Sequence, residues 1–258
     1  MFEHKIPQFT PKRILSREIL LSVRDIAYQE QAVRYAGYCD GIIAGCELFE
    51  EEMRIGVKNG LVKFGGRLYV LTEKMELCYQ PTDEWAMVKI RFGLQIPSKD
   101  LVYYTGKLVL DNGLGMQSNE LELGRFKLKK GSRLRTDYIN FRDMETEYDT
   151  VNLLHVVQAA PVEATVSPKI TRLFAQEAFP FLNDNPMDIS FCSICLSTEQ
   201  AVSRDYIQWY ISRRMNTDYR PLDNIKIHRS LSEILEAIRT GGALGGRKTP
   251  WGHSILLD

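Results

Sequence analysis

The chain has 258 residues, 44 % of them hydrophobic, and its 33 lysines and arginines match its 33 aspartates and glutamates. That composition supplies a core for one large or two small domains and excludes a disordered chain. The charge balance, which also holds on either side of Thr150, leaves no global field to attract nucleic acid or an anionic membrane.

No uninterrupted apolar run approaches the roughly 20 residues of a bilayer crossing, and the N-terminus lacks a signal-peptide core, so synthesis is expected to end in the cytoplasm. Five cysteines (Cys39, Cys46, Cys78, Cys192, Cys195) in a chain of this size read as reduced thiols.

Residues 1–15 carry Pro7 and Pro11 and read as an extended arm. Ser16 can cap a helix in which Ile19, Leu20, Val23, Ala27 and Val33 recur at three- and four-residue spacings to about Tyr35. From Asp40 to Phe141 the period shortens to two, in short runs rich in Val, Ile, Leu, Tyr and Phe. Turn signals at Lys58-Asn59-Gly60, Gly65-Gly66, Gln80-Pro81-Thr82-Asp83 and Asp111-Asn112-Gly113 separate them. This predicts a small antiparallel β-sandwich or barrel, with Asn59-Gly60 as a two-residue hairpin turn. Glu50-Glu51-Glu52 falls at a hairpin tip and reads as a solvated turn.

After Thr150 the spacing predicts helices over 168–179, 186–196, 198–215 and 222–240. Ser167-Pro168 and Asn185-Pro186 serve as starts and Gly241 as a stop. The fold class is therefore α+β: an N-terminal arm and helix (1–35), a β-domain (36–145), a helical domain (150–240), and a glycine-rich linker with an apolar C-terminal arm (241–258).

Enzyme motifs fail on inspection, and neither a catalytic nor a metal site is expected. Gly242 to Thr249 reads GALGGRKT, but Arg247 separates the glycine from Lys248-Thr249 and the preceding element is a helix, so no phosphate loop results. Gly113-Leu114-Gly115 lacks the third glycine of a dinucleotide site. Cys192 and Cys195 have pair spacing but no second ligand pair for zinc, so they read as core thiols of a helix. His4, His155, His228 and His253 match no hydrolase pattern. No cofactor is implied.

The stretch Leu121–Asp143 predicts a hairpin with Lys127, Lys129, Lys130, Arg133 and Arg135 on one face and apolar residues on the other. Its readings are a solvated turn, contact with an acidic protein surface, or nucleic acid; the aromatics bracket the basic run, whereas nucleic-acid platforms interleave them with it.

The order of the β-region motifs resembles the core of baseplate and tail-fibre-attachment proteins of contractile phages, prophages and phage tail-like particles, of the Firmicute type. Asp40-Gly41-Ile42-Ile43-Ala44-Gly45 corresponds to the opening motif, and Val57–Tyr69 to its glycine-centred hairpin. Leu121-Glu122-Leu123-Gly124-Arg125-Phe126-Lys127-Leu128, Gly131 and Ile139-Asn140-Phe141-Arg142-Asp143 correspond to its closing signature. The resemblance covers about residues 36–143. It implies a structural, non-enzymatic tail component that binds other tail or baseplate proteins in many copies, assembles before entering the virion or particle, and neither inserts in a membrane nor binds nucleic acid. Phe2, Ile6 and Phe9 in one arm and Trp251, Ile255, Leu256 and Leu257 in the other are the anchor candidates, with the five basic residues as a second contact. Two alternatives remain: glycan binding through Trp85, Tyr103 or Tyr104, and a cell-wall hydrolase with paired carboxylates.

Overall fold

The computed structural model describes residues 6, 9, 14, 16–93, 95–97 and 102–242. The chain divides into two compact units, Met1–Tyr38 and Cys39–Asp258. In the first, α1 (Arg17–Arg34) starts where the cap was expected, the Ser16 hydroxyl accepting from the Ile19 N–H at 3.3 Å. No residue of α1 is buried: Leu20, Val23 and Ile26 are 43–55 % exposed and Val33 79 %.

The second unit opens with β1 (Gly41–Gly45), β2 (Leu48–Glu51), β3 (Arg54–Val57), β4 (Gly60–Phe64), β5 (Arg67–Leu71) and β6 (Met75–Cys78). It continues through β7 (Trp85–Phe92), β8 (Ile96–Pro97), β9 (Val102–Tyr103), β10 (Gly106–Asn112) and β11 (Glu120–Lys127). Pairing between these strands is antiparallel, in sheets ordered β1-β4-β5, β2-β3-β6 and β10-β7-β11, with a β8-β9 ribbon. None closes into a barrel among the described residues. One core joins the three sheets through residues such as Ile42 and Val62, Leu48 and Ile55, and Val88, Leu123 and Phe126.

Asn59-Gly60 closes no hairpin. It links β3 to β4, which belong to different sheets, and neither residue has positive φ. Gly60 answers a steric demand instead: a Cβ there would lie 2.4 Å from both the amide nitrogen and the Sγ of Cys46. Gly65 and Gly66, with φ of 55° and 74°, do make the β4–β5 hairpin turn.

The hairpin expected over 121–143 does not form either. β11 pairs with β7 on one edge, and its other edge exchanges backbone hydrogen bonds with Asn152. Residues 149–151 then bond onward to Arg135, whose N–H donates to the Asp149 carbonyl and whose carbonyl accepts from Val151, both at 2.9 Å. The chain beyond the strands thus inserts between the two arms of the expected hairpin. Val151, Leu153 and Val156 enter the β-core as it does so.

The helices are α2 (Pro168–Ala178), α3 (Pro186–Ser197), α4 (Arg204–Arg214) and α5 (Asn224–Thr240). Ser167 and Asn185 cap the proline-led starts, and Gly241 ends α5 at φ 65°. α4 starts six residues later than expected because 198–203 bends without forming helix. Thr165 donates to the Val202 carbonyl at 2.7 Å, and the Arg204 guanidinium reaches back to the carbonyls of Ala164 and Leu222. The expected core face of α5 is fully realised: Ile227, Leu231, Ile234, Leu235 and Ile238 are all at most 5 % exposed.

Candidate functional site

The basic segment is turned inward on its own chain. Lys127 Nζ lies 2.8 Å from Glu147 Oε1, and with Lys129 it stands over the Tyr148 ring, at 4.5 and 4.6 Å. Arg133 reaches Glu50 at 2.8 Å. Arg135 grips both oxygens of Asp143 at 3.0 Å and donates to Thr150 Oγ1 at 2.8 Å. Lys130 is exposed.

Of these acidic partners, Asp143 belongs to the Ile139–Asp143 motif, whereas Glu50 and Glu147 lie outside the quoted motifs. Burial alone would raise the Asp143 carboxyl; Arg135, the Ile139 N–H and the Thr146 hydroxyl outweigh it and pull it below the ordinary value. Phe141, between them, is fully buried. Gly124 in the Leu-x-Leu-small-Arg strand lies where a Cβ would meet Leu48, Val151 and Leu153 at 2.8–3.4 Å. Asp40 of the opening motif accepts from the Gly65 N–H at 2.8 Å.

Glu50 departs from its expected solvated state. Glu52 and Met53 make the hairpin tip, with φ of 49° and 60°, but the Glu50 side chain is 6 % exposed. It accepts from Arg133, the Tyr79 hydroxyl and the Met53 N–H.

Cys192 and Cys195 are buried in the helical core, where burial pushes both thiols up to about 12. Among the described residues no three of His, Cys, Asp and Glu gather to hold a metal, and no helix is long and apolar enough to cross a membrane.

The glycan platform does not assemble. Trp85 begins β7, whereas Tyr103 and Tyr104 adjoin Gly106, which pairs with Phe92 at the other end of that strand, about 20 Å away. Nor does a hydrolytic carboxylate stand out, since every described carboxyl that departs from its ordinary pKa is lowered. Ile6 and Phe9 are exposed; Phe2, Trp251, Ile255, Leu256 and Leu257 lie outside the described residues.

One feature escapes sequence reasoning because segments far apart in the chain build it, Leu123 and Glu199-Gln200 among them. A cavity of about 550 Å³ lies where β1, residues 136–138, residues 151–158 and the start of α2 converge. Its wall is aliphatic, with Ile42, Leu123, Val151 and Leu153 at 9 % exposure or less. Thr136, Gln158, Lys169 and Arg172 supply polar groups. Glu47, also on the lining, is taken up by Lys58 at 3.1 Å; that hydrogen bond, offset by burial and helped by the charge of Lys169, lowers its carboxyl.

No protein-family model and no curated protein matches the chain. Among solved structures, the crystal structure of TssK is similar at 8 % identity and a TM-score of 0.42, over 92 % of this chain and 69 % of that one. The cryo-electron-microscopy structure of the type VI secretion system TssK-TssF-TssG baseplate subcomplex is similar at 10 % identity and a TM-score of 0.38, over 91 % of this chain and 100 % of that one. Likeness at these scores defines neither fold nor role.

Proposed function

We propose that the chain is a structural component of a contractile-tail baseplate or tail appendage, joining neighbouring proteins without catalysing a reaction. The sequence supports this reading through the ordered motifs of residues 36–143. One structural observation carries it: α1 is an 18-residue amphipathic helix that buries none of its residues. Helices of this length owe most of their stability to packing of the apolar face. Ile19, Val23 and Ile26 follow one another at four- and three-residue spacings along α1 and Val33 lies seven residues beyond Ile26, the seam by which one helix seats on another. A neighbouring subunit is the partner that such a seam fits.

In this reading the arms, through Phe2, Ile6 and Phe9 and through Trp251, Ile255, Leu256 and Leu257, are further anchors, and Lys129 and Lys130 face acidic neighbours. Repeated copies then add avidity.

The test replaces Ile19, Val23, Ile26 and Val33 together by serine in the producing strain. The main thermal transition of the purified variant is expected to match the parent, because none of those side chains is buried: Val23, Ile26 and Val33 are exposed and Ile19 is half-buried. The variant is expected to be missing from purified particles on immunoblotting, and its normal incorporation would overturn the reading.

A further inference from the structure

The cavity beside β1 combines three features that point to a peptide occupant. Gln158 is 5 % exposed, and its backbone is fully engaged with Thr165. Its side-chain amide lines the cavity without a hydrogen-bond partner among the described residues. The amide atoms are not sealed from water, so an occupant entering the cavity can pair with them in place of solvent. Offering one donor and one acceptor group, it complements a peptide unit, which offers the same two; a carboxylate or an alkyl chain does not.

The aliphatic wall takes alternate side chains of an extended strand. Across from it, at the start of α2, Lys169 forms no ion pair within 4 Å among the described residues, the nearby Glu47 being bonded to Lys58. The occupant that fits is therefore extended and aliphatic, with an acidic residue on the opposite face.

We propose that this cavity receives Ser254–Asp258 of a second copy of the chain. The sequence Ser-Ile-Leu-Leu-Asp has the required pattern. In an extended segment Ile255 and Leu257 face the wall, while Asp258 on the other side faces Lys169. The assignment rests on the joining role proposed above and names one of its contacts.

Full-length chain carrying the photoreactive residue p-benzoylphenylalanine at position 256, unlabelled, is mixed with ¹⁵N-labelled parent chain and irradiated. Position 256 is expected to crosslink to labelled peptides containing residues 42–48, 151–158 or 167–172. Asp258→Lys, which leaves the cavity itself untouched, is expected to cut the yield about tenfold, as is Lys169→Glu, and the two together restore it.

Crosslinks only within one copy, crosslinks to another region, or a charge swap that fails to rescue would overturn the assignment. Crosslinking in particles to a different tail protein would also overturn it while supporting the joining role. Normal incorporation of the α1 serine variant removes the joining role whatever position 256 contacts.

Discussion

Arg133 Nε lies 2.8 Å from Glu50 Oε2, a bond between residues 83 apart that fastens the basic loop to the β2–β3 hairpin. The two partners are unequally placed, the guanidinium 71 % exposed and the carboxylate 6 %. Glu50→Ala is therefore expected to cost about 1–3 kcal/mol, because it strips a buried acceptor from the Tyr79 hydroxyl and the Met53 N–H as well. Arg133→Ala should cost less, about 1 kcal/mol or under, since the exposed guanidinium is the solvated partner and Glu50 keeps its bonds from Tyr79 and Met53. Equal losses for the two variants would show that the ion pair itself carries the stability.

Gly60 separates a steric requirement from a turn requirement. Gly60→Ala forces a methyl into the Cys46 backbone and is expected to cost about 2–3 kcal/mol in urea unfolding. Gly115→Ala is the control, because its Cβ would meet nothing within 4 Å; that variant should unfold with the parent. A mild effect at Gly60 would mean that β1 and β4 can part without loss.

These two sites also mark how far the sequence could be read. Spacing and capping residues placed α1, α2, α3 and α5 to within about two residues, because a helix is decided locally by periodicity and by its ends. Asn59-Gly60 misled because a dipeptide that suits a two-residue turn also suits a close crossing of two sheets, and only the partners of β3 and β4 distinguish them. The basic stretch misled for a related reason: alternation across Leu134 is compatible with a hairpin, but residues 149–152 take the edge of β11 first. The pairing of Arg133 with Glu50 and of Arg135 with Asp143, and the gathering of Gln158, Thr136 and Lys169 around one cavity, are tertiary facts with no local signal.

The cysteines give a chemical check on the packing. Cys78 is exposed, Cys46, Cys192 and Cys195 are buried, and burial pushes the Cys46 thiol up to about 11 and the other two to about 12. Thiolate is the reactive form, so iodoacetamide at pH 8 is expected to modify Cys78 in the native protein and to leave these three intact until denaturant is added. Native labelling of Cys192 or Cys195, read by peptide mass spectrometry, would show that α3 is not packed as described.

The face of the β10-β7-β11 sheet holds a linked ionic group in which Lys89 Nζ lies 2.7 Å from Glu120 and 2.9 Å from Asp111, and Arg91 binds the same two carboxylates. Burial opposes charge on Glu120, but hydrogen bonds from Lys89, the Gln117 N–H and Arg91 prevail and hold its carboxyl at about 2, below the ordinary 4.5. A carboxyl lowered on folding stabilises the protein above the unfolded value, and that contribution is lost as pH falls from about 4.5 towards 2. The urea midpoint is thus expected to hold near neutrality and drop through this window, with a flatter acid limb in Glu120→Gln. Lys89→Met leaves the buried carboxylate short of its main cation, at an expected cost of about 3 kcal/mol at neutral pH. It should also move the acid limb to higher pH, because Glu120 then takes up its proton sooner. An acid limb unchanged in both variants would show that other carboxylates, such as Asp143, govern acid unfolding.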